Sequence, residues 1–427
     1  MTLRPVTGMN DILPDEVGRW HELEAVLRRE LELAGYAEIR TPFLEPLELF
    51  VRSIGDTTDI VEKQMFSFQR GDETLALRPE GTAGVARAYV GHSLHAKEPT
   101  SRLYYLGPMF RAERPQRGRY RQFWQVGAEV YGDPGPGVDA EMIDMLVQIL
   151  DALGIKQLEV CVNSLGSQGT RARYRDALFA YLEPKKALLS EHAQKRLADN
   201  PLRILDSKNP RDQEAIQGAP SILDLLEPDD QAHWEGLKRA LAALGTPFVV
   251  SPELVRGLDY YTRTLFEIRS TEGELGSQNA LLGGGRYDNM VSELGGPKVP
   301  AVGFAMGLER VLLAMREKPA EASARCFIAP LGERAMLESL RIARELRSAG
   351  ITAISDTRGG SLKSLLRRAD SLGARLCLVV GDTELHGGFV AVKDLAKKAQ
   401  ENVPRAELVT RVAAALAEPA PSPAGAS

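Results

Sequence analysis

The spacing of apolar residues predicts the first helices and strands of the chain. Apolar side chains recur every three or four positions across residues 14–35, which predicts an amphipathic helix ended by a glycine. A short strand is expected over 36–41 and a second helix over 45–54. Stretches 103–111 and 120–131 have strand-like sequence and are joined by about ten polar residues, which predicts a long-looped antiparallel hairpin.

A change of pattern marks a helical segment in the middle of the chain. Residues 139–153 predict another amphipathic helix, and from about 171 to 245 Leu, Ala, Glu and Lys dominate at helical spacing. Strand-like sequence returns at 263–270, and a strand leading into a helix is predicted over 300–315. The glycine run 283–285 is compatible with a phosphate cradle or with a tight turn. The helical segment is therefore expected to be an insertion in a strand-rich domain.

The C-terminal part of the chain follows a different plan. Apolar strands are predicted at 326–331, 351–355 and 376–381, with helices at about 333–349 and 361–372 between them. Apolar strands that alternate with helices are typical of a parallel sheet. No GxGxxG or GxxxxGK[ST] motif occurs here, so neither a dinucleotide site nor a P-loop is indicated. We expect a separate small α/β domain.

Composition and charge exclude several classes of protein. The 427 residues are 44% hydrophobic and 26% charged, which excludes wholesale disorder. The formal net charge of −5 means that any nucleic-acid binding must depend on local basic patches. The cysteines (161, 326 and 377) form no CxxC pair, and the histidines show no metal-binding spacing. No apolar run approaches the ~20 residues of a membrane helix, and the N-terminus lacks a signal-peptide core, so we expect a cytoplasmic protein.

The densest positive charge lies in the loop of the predicted hairpin. Residues 111–121 contain five arginines and one acidic residue, Glu113. Arginine forks match phosphate oxygens two at a time, so this loop is a candidate phosphate-binding segment, and a solvated hairpin tip is the alternative.

The strand after this loop carries one polar and one apolar face. Alternation places Trp124 and the apolar residues 126, 128 and 130 on the core side. The other side carries Arg121, Phe123, Gln125, Gly127 and Glu129. Glycine weakens a strand unless something approaches its backbone closely, so a ligand lying across this face would explain Gly127. A polar surface of the sheet is the alternative.

Three further motifs combine charge with turn residues. In RPEGT (78–82), a ligand contact and a helix-capping role for Thr82 remain equally open. RGLDYYTRT (256–264) places Arg256 beside a glycine, which suits an arginine free to meet an anion. In GFAMGLER (303–310), Arg310 falls in the first turn of the predicted helix, where anions are favoured; an exposed helical arginine is the alternative.

Together these segments resemble the histidyl-tRNA synthetases of the bacterial type, a family of class II aminoacyl-tRNA synthetases. Residues 35–50, 107–129 and 303–310 are similar to the three motifs of the class. RGLDYYTRTLFE (256–267) and LGGGRYD (282–288) resemble the two signatures specific to histidine. The likeness covers nearly the whole chain.

The resemblance implies an α+β catalytic domain with an antiparallel six-stranded sheet and a helical insertion, plus a C-terminal α/β anticodon-binding domain. The predicted boundaries are 1–165 and 246–320 for the two parts of the catalytic domain, 166–245 for the insertion, 326–417 for the anticodon-binding domain and 418–427 for a disordered tail. Pro, Ala and Ser dominate that tail, as is common at chain ends without fixed structure.

The same resemblance implies an enzyme that activates L-histidine with ATP to histidyl-adenylate and transfers it to the 3′ end of tRNA(His). Mg²⁺ is expected to accompany ATP without a site built from protein ligands alone, and the chain is expected to form a homodimer. The resemblance assigns catalysis to Arg111 and Arg256, and ATP binding to Arg111, Glu113 and Arg310. It assigns histidine binding to Glu80, Thr82, Gln125, Glu129, Arg256, Tyr260 and Tyr261, and contact with the tRNA acceptor end to Arg114 and Gln116.

Two other readings of the same catalytic fold are the alternatives. The synthetase-like regulatory subunit of ATP phosphoribosyltransferase shares the catalytic fold but usually lacks the anticodon-binding domain and parts of the histidine signatures. Another class II synthetase, such as the threonyl or prolyl enzyme, is not expected to carry RGLDYYTRT. Both the C-terminal domain and the signatures are present in this chain, which favours the synthetase for histidine.

Overall fold

The chain folds into two compact units that divide between Arg316 and Glu317. The computed structural model describes residues 3–55, 58, 60–205, 207, 209–255, 258, 260–270, 279–316 and 325–418. Of the predicted disordered tail, only Glu418 lies within these ranges. No described helix is both long enough and apolar enough to cross a membrane.

The first unit combines many short strands with helices. Its strands are β1 (Ala37–Glu38), β2 (Leu44–Pro46), β3 (Ser67–Arg70), β4 (Glu73–Leu77), β5 (Ser101–Phe110), β6 (Gln122–Tyr131), β7 (Leu158–Ser164), β8 (Val249–Val250), β9 (Thr262–Ser270), β10 (Ala280–Arg286) and β11 (Ala301–Gly307). Its α-helices are α1 (Val17–Leu33), α2 (Leu47–Ile54), α3 (Thr82–Gly91), α4 (Pro136–Ala152), α5 (Gln168–Leu182), α6 (Glu191–Asp199), α7 (Pro210–Ile216), α8 (Pro228–Leu244), α9 (Met290–Glu293) and α10 (Leu308–Ala314). Shorter helical turns lie at Ile60–Gln64, Leu94–Ala96, Glu183–Leu188, Pro201–Ile204 and Ile222–Leu225.

A large sheet forms the centre of the first unit, in the order β1-β5-β6-β11-β10-β9-β7-β8. Its six inner strands all pair antiparallel, which confirms the antiparallel six-stranded sheet that the resemblance implies. The two-residue edge strands β1 and β8 add a parallel pair at each side, so the whole sheet is mixed. The predicted strand 36–41 is therefore much shorter than expected.

A second, three-stranded sheet in the order β2-β4-β3 was not predicted. Every residue of β3 is exposed, so the alternation of buried and exposed positions that signals a strand is missing there. The glycine run 283–285 also differs from the expectation of a turn or phosphate cradle, because it lies inside β10, between β9 and β11. A Cβ on Gly284 would collide with the neighbouring β11 backbone, so close strand packing requires glycine there.

Helices α1, α4, α8 and α10 cover one face of the large sheet. They contribute fully buried apolar residues such as Leu27, Leu146, Leu241 and Val311, which pack with Val126 of β6. Burying a side chain of this kind stabilises the fold by about 1.5–3 kcal/mol. The opposite face carries a second core that includes buried tyrosines and residues of α5, α6 and α7. The polar side of β6 points toward this second core.

The second unit contains β12 (Arg325–Pro330), β13 (Thr352–Ser355), β14 (Leu376–Val380), β15 (Phe389–Asp394) and β16 (Ala399–Pro404). Its α-helices are α11 (Glu333–Ser348), α12 (Leu362–Ser371), α13 (Asp382–Gly387) and α14 (Leu408–Ala417), with a short turn at Arg405–Glu407. The strand order is β13-β12-β14-β15-β16. The first three strands are parallel as expected, but β15 and β16 pair antiparallel, so a wholly parallel sheet is wrong. Most of β16 is exposed, and it therefore lacks the apolar run that marked the other strands.

Candidate active site

A narrow pocket lies at the tyrosine-rich face of the large sheet. About 330 Å³ of space at the pocket, which includes part of its opening to solvent, is free of protein atoms. Its lining consists of Glu80, Thr82, Arg111, Gln125, Leu258, Tyr260, Tyr261, Tyr287, Gly303, Phe304 and Ala305. Six of these were predicted as site residues from the sequence, namely Glu80, Thr82, Arg111, Gln125, Tyr260 and Tyr261. The structure thus brings these six predicted residues together from four separate places in the chain, at 80–82, 111, 125 and 260–261.

Glu129 is a buried carboxylate held by two side chains that line the pocket. It is 0% exposed. Thr82 Oγ1 donates a hydrogen bond of 2.7 Å to Glu129 Oε1, and the Tyr287 hydroxyl donates to Glu129 Oε2. Burial raises the pKa of Glu129 well above its usual value, and these two bonds oppose that shift. A Cβ on Gly303, which pairs with Glu129 across the strands, would collide with the carboxylate, so the glycine makes room for it.

Tyr287 is a site residue that the sequence prediction missed. It lies directly after β10 and is fully buried. Its ring packs edge-on against Tyr260, with 5.5 Å between the ring centroids. The LGGGRYD signature contained it, but its partner Glu129 is far away in the sequence. Only the pairing of β6 with β11 and of β11 with β10 brings the two residues together.

Glu80 caps the helix that begins beside the pocket. Its two carboxylate oxygens accept hydrogen bonds from the backbone N–H groups of Thr82 (2.7 Å) and Ala83 (2.9 Å) at the start of α3. The structure thus shows capping in RPEGT, with Glu80 as the capping residue, because the Thr82 hydroxyl donates to Glu129 instead. Glu80 also lines the pocket, and burial raises its pKa. The cap therefore fixes this carboxylate in the pocket wall.

Gln125 presents an unsatisfied acceptor to the pocket. It is 7% exposed, and its Oε1 accepts no hydrogen bond from any residue that the structure describes. Buried polar atoms in proteins nearly always have a partner, so this atom is available to a donor from a ligand or from water in the pocket.

Gly127 has a different explanation from the one predicted. A Cβ there would collide with the Tyr105 side chain of β5, so the glycine accommodates Tyr105 rather than a ligand.

Arg111 reaches the pocket from the end of β5. Its Nε donates to the carbonyl oxygen of Pro79 at 2.9 Å, and its guanidinium lies 5.2 Å from the ring centroid of Phe123. These contacts fix the plane of the guanidinium at the pocket wall. The positive charge is retained, because a guanidinium stays protonated in proteins. A ligand carboxylate or phosphate in the pocket would lie within reach of this charge.

The loop 111–121, called the arginine loop below, is folded against itself rather than being a fully solvated hairpin tip. Gln116 and Arg119 form a two-residue bridge through their backbones, and Arg119 pairs with Glu113 at 3.2 Å. Arg114 and Gln116 are exposed at the surface of this loop.

Arg310, in the first turn of α10, is not part of the pocket lining. Its guanidinium donates to the carbonyl oxygens of Ala280 (2.9 Å) and Gly118 (3.4 Å), which places it under the loop.

The predicted catalytic residue Arg256 lies outside the described residues, as do its neighbours Gly257 and Asp259. Leu258, within the same signature, lines the pocket. Among the residues that the structure describes, no group of three or more His, Cys, Asp or Glu side chains is arranged to hold a metal ion.

Comparison with known proteins agrees with this geometry. Residues 8–311 match the family described as Histidyl-tRNA synthetase, and residues 325–415 match the family described as Anticodon binding domain. A protein of Sorangium cellulosum named Histidine--tRNA ligase is 58% identical over 404 residues, which cover 95% of this chain and 94% of that protein. A relative of the same name from Thermosynechococcus vestitus is 48% identical and covers 96% of both chains.

Solved structures give the same result. The crystal structure of apo S. aureus histidyl-tRNA synthetase superposes with a TM-score of 0.81 at 35% identity, covering 96% of this chain and all of that one. A Bacillus halodurans structure titled as an ATP phosphoribosyltransferase regulatory subunit/histidyl-tRNA synthetase reaches a TM-score of 0.65 at 23% identity, which shows a shared fold and no more. By sequence and by fold, the chain belongs to the histidyl-tRNA synthetase family.

Proposed function

We propose that this chain activates L-histidine with ATP and transfers the product to the 3′ end of tRNA(His). The observation that carries the proposal is the pocket itself, where the unsatisfied Gln125 Oε1 and the carboxylate of Glu80 face a space backed by buried Glu129. A buried site rich in acceptors suits a small ligand with several N–H donors, and histidine has an ammonium group and an imidazole ring.

Recognition of histidine divides between the two ends of the amino acid. The ammonium group is proposed to donate to Glu80 and Gln125. The imidazole is proposed to lie between Glu129 and Tyr261. The Glu129 carboxylate would accept a hydrogen bond from one ring N–H, and the Tyr261 hydroxyl would pair with the other ring nitrogen. A site built for such bonds rejects amino acids that lack them by large factors, on the order of 10⁴, because its polar groups would then be left unpaired.

The activation step needs positive charge at one phosphorus atom. A carboxylate oxygen of histidine attacks the α-phosphorus of ATP, the new C–O–P bond forms, and pyrophosphate leaves with the electron pair of the broken P–O bond. Arg111 is proposed to hold the carboxylate and the α-phosphate from the pocket wall, and Arg256, which lies outside the described residues, is proposed to bind the same phosphate. Fixed charges aimed at the developing negative charge are a large contribution to catalysis of this kind.

The rest of ATP is proposed to extend from the pocket toward the arginine loop. Arg310 is assigned to the γ-phosphate and Glu113 to the neighbourhood of the adenine. Both lie at this loop, where Arg310 supports the Gly118 carbonyl and Glu113 pairs with Arg119. To reach a phosphate, Arg310 would exchange its bonds to carbonyl oxygens for bonds to the nucleotide.

Mg²⁺ is proposed to accompany ATP. The phosphate oxygens of the nucleotide are proposed to carry most of the ion's coordination, as is usual for Mg²⁺ at nucleotide sites. When bound, the ion would supply charge neutralisation for the departing pyrophosphate.

The tRNA and a second copy of the chain are the proposed macromolecular partners. Arg114 and Gln116 are exposed on the arginine loop and are proposed to contact the acceptor end. The C-terminal unit is proposed to bind the anticodon, whose unstacked bases are the usual targets of sequence-specific RNA recognition. Residues 35–50 resemble the first motif of the class, which builds the dimer interface in that family. Within this stretch Phe43 and Leu44 leave 51% and 38% of their surface exposed, which supports a homodimer. The cytoplasm is the proposed location.

Pyrophosphate exchange tests the proposal directly. Purified protein is incubated with ATP, labelled pyrophosphate and one amino acid at a time, including histidine, threonine and proline. We expect exchange only with histidine, and histidine-dependent charging of tRNA(His) in a second assay. Exchange with threonine or proline would show that the chain is a synthetase for that amino acid. No exchange with any amino acid would favour the regulatory subunit.

A further inference from the structure

The segment that carries Tyr260 and Tyr261 enters the sheet through a bulge. Gly285 of β10 pairs with Leu265 of β9, but the next residue, Arg286, pairs with Thr262. Two residues of β9, Arg263 and Thr264, are therefore extra. Arg263 has a φ of +42°, in the left-handed region that residues with a side chain rarely adopt. Bulges of this kind re-aim side chains and are frequent beside active sites.

A carboxylate from the helices between β7 and β8 holds the strained residue. Asp230 of α8 is 1% exposed, and its Oδ1 accepts from Arg263 Nε at 3.0 Å. Its Oδ2 accepts from Ser167 N (2.7 Å) and from Thr170 Oγ1 (2.8 Å) at the start of α5. Burial alone would raise the pKa of Asp230, but these hydrogen bonds outweigh it and leave the pKa below its usual value. The carboxylate thus stays charged and joins α5, α8 and the bulge.

Backbone contacts from the same region complete the support. Arg263 N donates to Gly166 O at 2.9 Å, and Leu165 N donates to Arg263 O at 2.7 Å. Arg171 of α5 donates through Nη1 to the carbonyl oxygen of Tyr261 at 3.1 Å. The Tyr261 ring is seated on Gly285, where a Cβ would come within 2.9 Å of ring atom Cδ1. The backbone of Tyr261 is therefore held from the helical side and its ring from the sheet.

We propose that the helices between β7 and β8 position Tyr261 for histidine recognition, with Asp230 holding the bulge at Arg263 and Arg171 holding the Tyr261 carbonyl. Asp230 and Arg171 touch no substrate in this proposal and act through Tyr261. The inference rests on the proposed role of the pocket in binding histidine. It extends that role to a region for which the sequence indicated no part in amino-acid selection.

The first test compares the histidine and ATP requirements of Asp230→Asn with those of the wild type in pyrophosphate exchange. Asn keeps the size of Asp230 but removes the charge that pairs with Arg263. We expect the KM for histidine to rise about fivefold or more. A strained backbone conformation stores about 1 kcal/mol or more, and losing the contact that holds it changes an equilibrium by about this factor. The KM for ATP should stay within about twofold. An unchanged KM for histidine would overturn the proposal.

A pair of substitutions at Arg263 separates strain from loss of the ion pair. Arg263→Ala and Arg263→Gly both remove the bond to Asp230, but only glycine adopts a positive φ without cost. We expect Arg263→Ala to raise the KM for histidine as Asp230→Asn does, and Arg263→Gly to remain closer to the wild type. Equal KM values in the two variants would overturn the role of the strained bulge. This pair also provides the test if Asp230→Asn does not fold.

Asp212 is a matched control within the same helical region. It is also 1% exposed, and it accepts from Ser190 N (2.7 Å), Ser190 Oγ (2.8 Å) and Ser207 Oγ (2.6 Å), but none of these three bonds reaches the Tyr261 segment. Asp212→Asn should lower the melting temperature without changing the KM for histidine. An equal rise in this KM would show a general loosening of the helices and overturn the proposal. A wild-type protein without histidine-dependent exchange would instead refute the proposed function itself.

Discussion

Replacing Tyr287 with Phe removes one buried oxygen atom and leaves the aromatic ring in place. The Tyr287 hydroxyl donates to Glu129 Oε2, and after the substitution Thr82 is the remaining donor to this carboxylate among the described residues. The ring should stay where it is, because Tyr131 and Tyr260 pack edge-on against it. The substitution therefore changes the electrostatic support of Glu129 without opening a cavity.

The size of the effect follows from the free energy that a hydrogen bond to a charged group contributes. Such a bond contributes about 1.5–3 kcal/mol, and the carboxylate form of Glu129 loses this support relative to its protonated form. A difference of about 1.4 kcal/mol is a factor of ten in affinity. If the carboxylate holds the imidazole, we expect the KM for histidine to rise about tenfold or more near neutral pH, with the KM for ATP changed by less than about twofold.

The pH dependence gives the sign of the effect independently. Burial already raises the pKa of Glu129, and the bond from Tyr287 lowers it, so removal of the bond must raise this pKa further. The variant then needs a higher pH to ionise Glu129, and its KM for histidine should fall with rising pH over a more alkaline range than in the wild type.

Histidine-dependent pyrophosphate exchange measured across pH checks both expectations. Tyr174→Phe is the control, because Tyr174 is a buried tyrosine of α5 that does not line the pocket. The reasoning is refuted if Tyr287→Phe has the same pH profile as the wild type, or if it raises the KM values for ATP and histidine equally.

Four further outcomes are expected. Glu129→Ala should raise the histidine requirement far more than the ATP requirement in pyrophosphate exchange, and equal effects would contradict the imidazole assignment. Arg256→Ala should cut adenylate formation severely while histidine and ATP still bind, and near-normal single-turnover formation would contradict its role. Burial raises the pKa of Glu309 from 4.5 to about 7, so the unfolding free energy should fall by roughly 3 kcal/mol between these pH values, as the unfolded state ionises first. Urea melts of Glu309→Gln over this pH range should lack this fall in unfolding free energy, and a fall of the same size in the variant would contradict the prediction. A chain ending near residue 320 should still form adenylate but charge tRNA poorly, and undiminished charging would show that the C-terminal unit is dispensable.

The hairpin and its polar face were predictable because both depend on local periodicity. β5 and β6 pair with Phe110 opposite Gln122, as the spacing of the two strand-like stretches indicated. Alternation along β6 correctly separated Val126, which joins the core under α1 and α4, from Gln125, which lines the pocket. A strand has a period of two whatever its partners are, so the sequence alone is enough to divide its faces.

The partners of the polar residues were not predictable in the same way. Nothing local to Glu80 shows that it caps α3 rather than binding a ligand alone, since both uses need a carboxylate before a small residue and a helix. The antiparallel hairpin of β15 and β16 was missed for a related reason, because its mostly exposed outer strand carries no apolar run. Both cases depend on contacts that form only after the chain has folded.

Three glycines of the large sheet make room for buried side chains near the pocket. Gly303 makes room for the Glu129 carboxylate, Gly127 for Tyr105, and Gly285 for the ring of Tyr261. Each glycine lies on a strand adjacent to, or packed against, the residue that it accommodates, yet far from it in sequence. Glycine weakens a strand, so its presence in the middle of a buried sheet must be offset by what it admits. In this sheet the three glycines admit buried side chains. Within the glycine-rich signature, Gly285 makes room for the Tyr261 ring and Gly284 for the backbone of β11, so close packing inside the sheet explains the run.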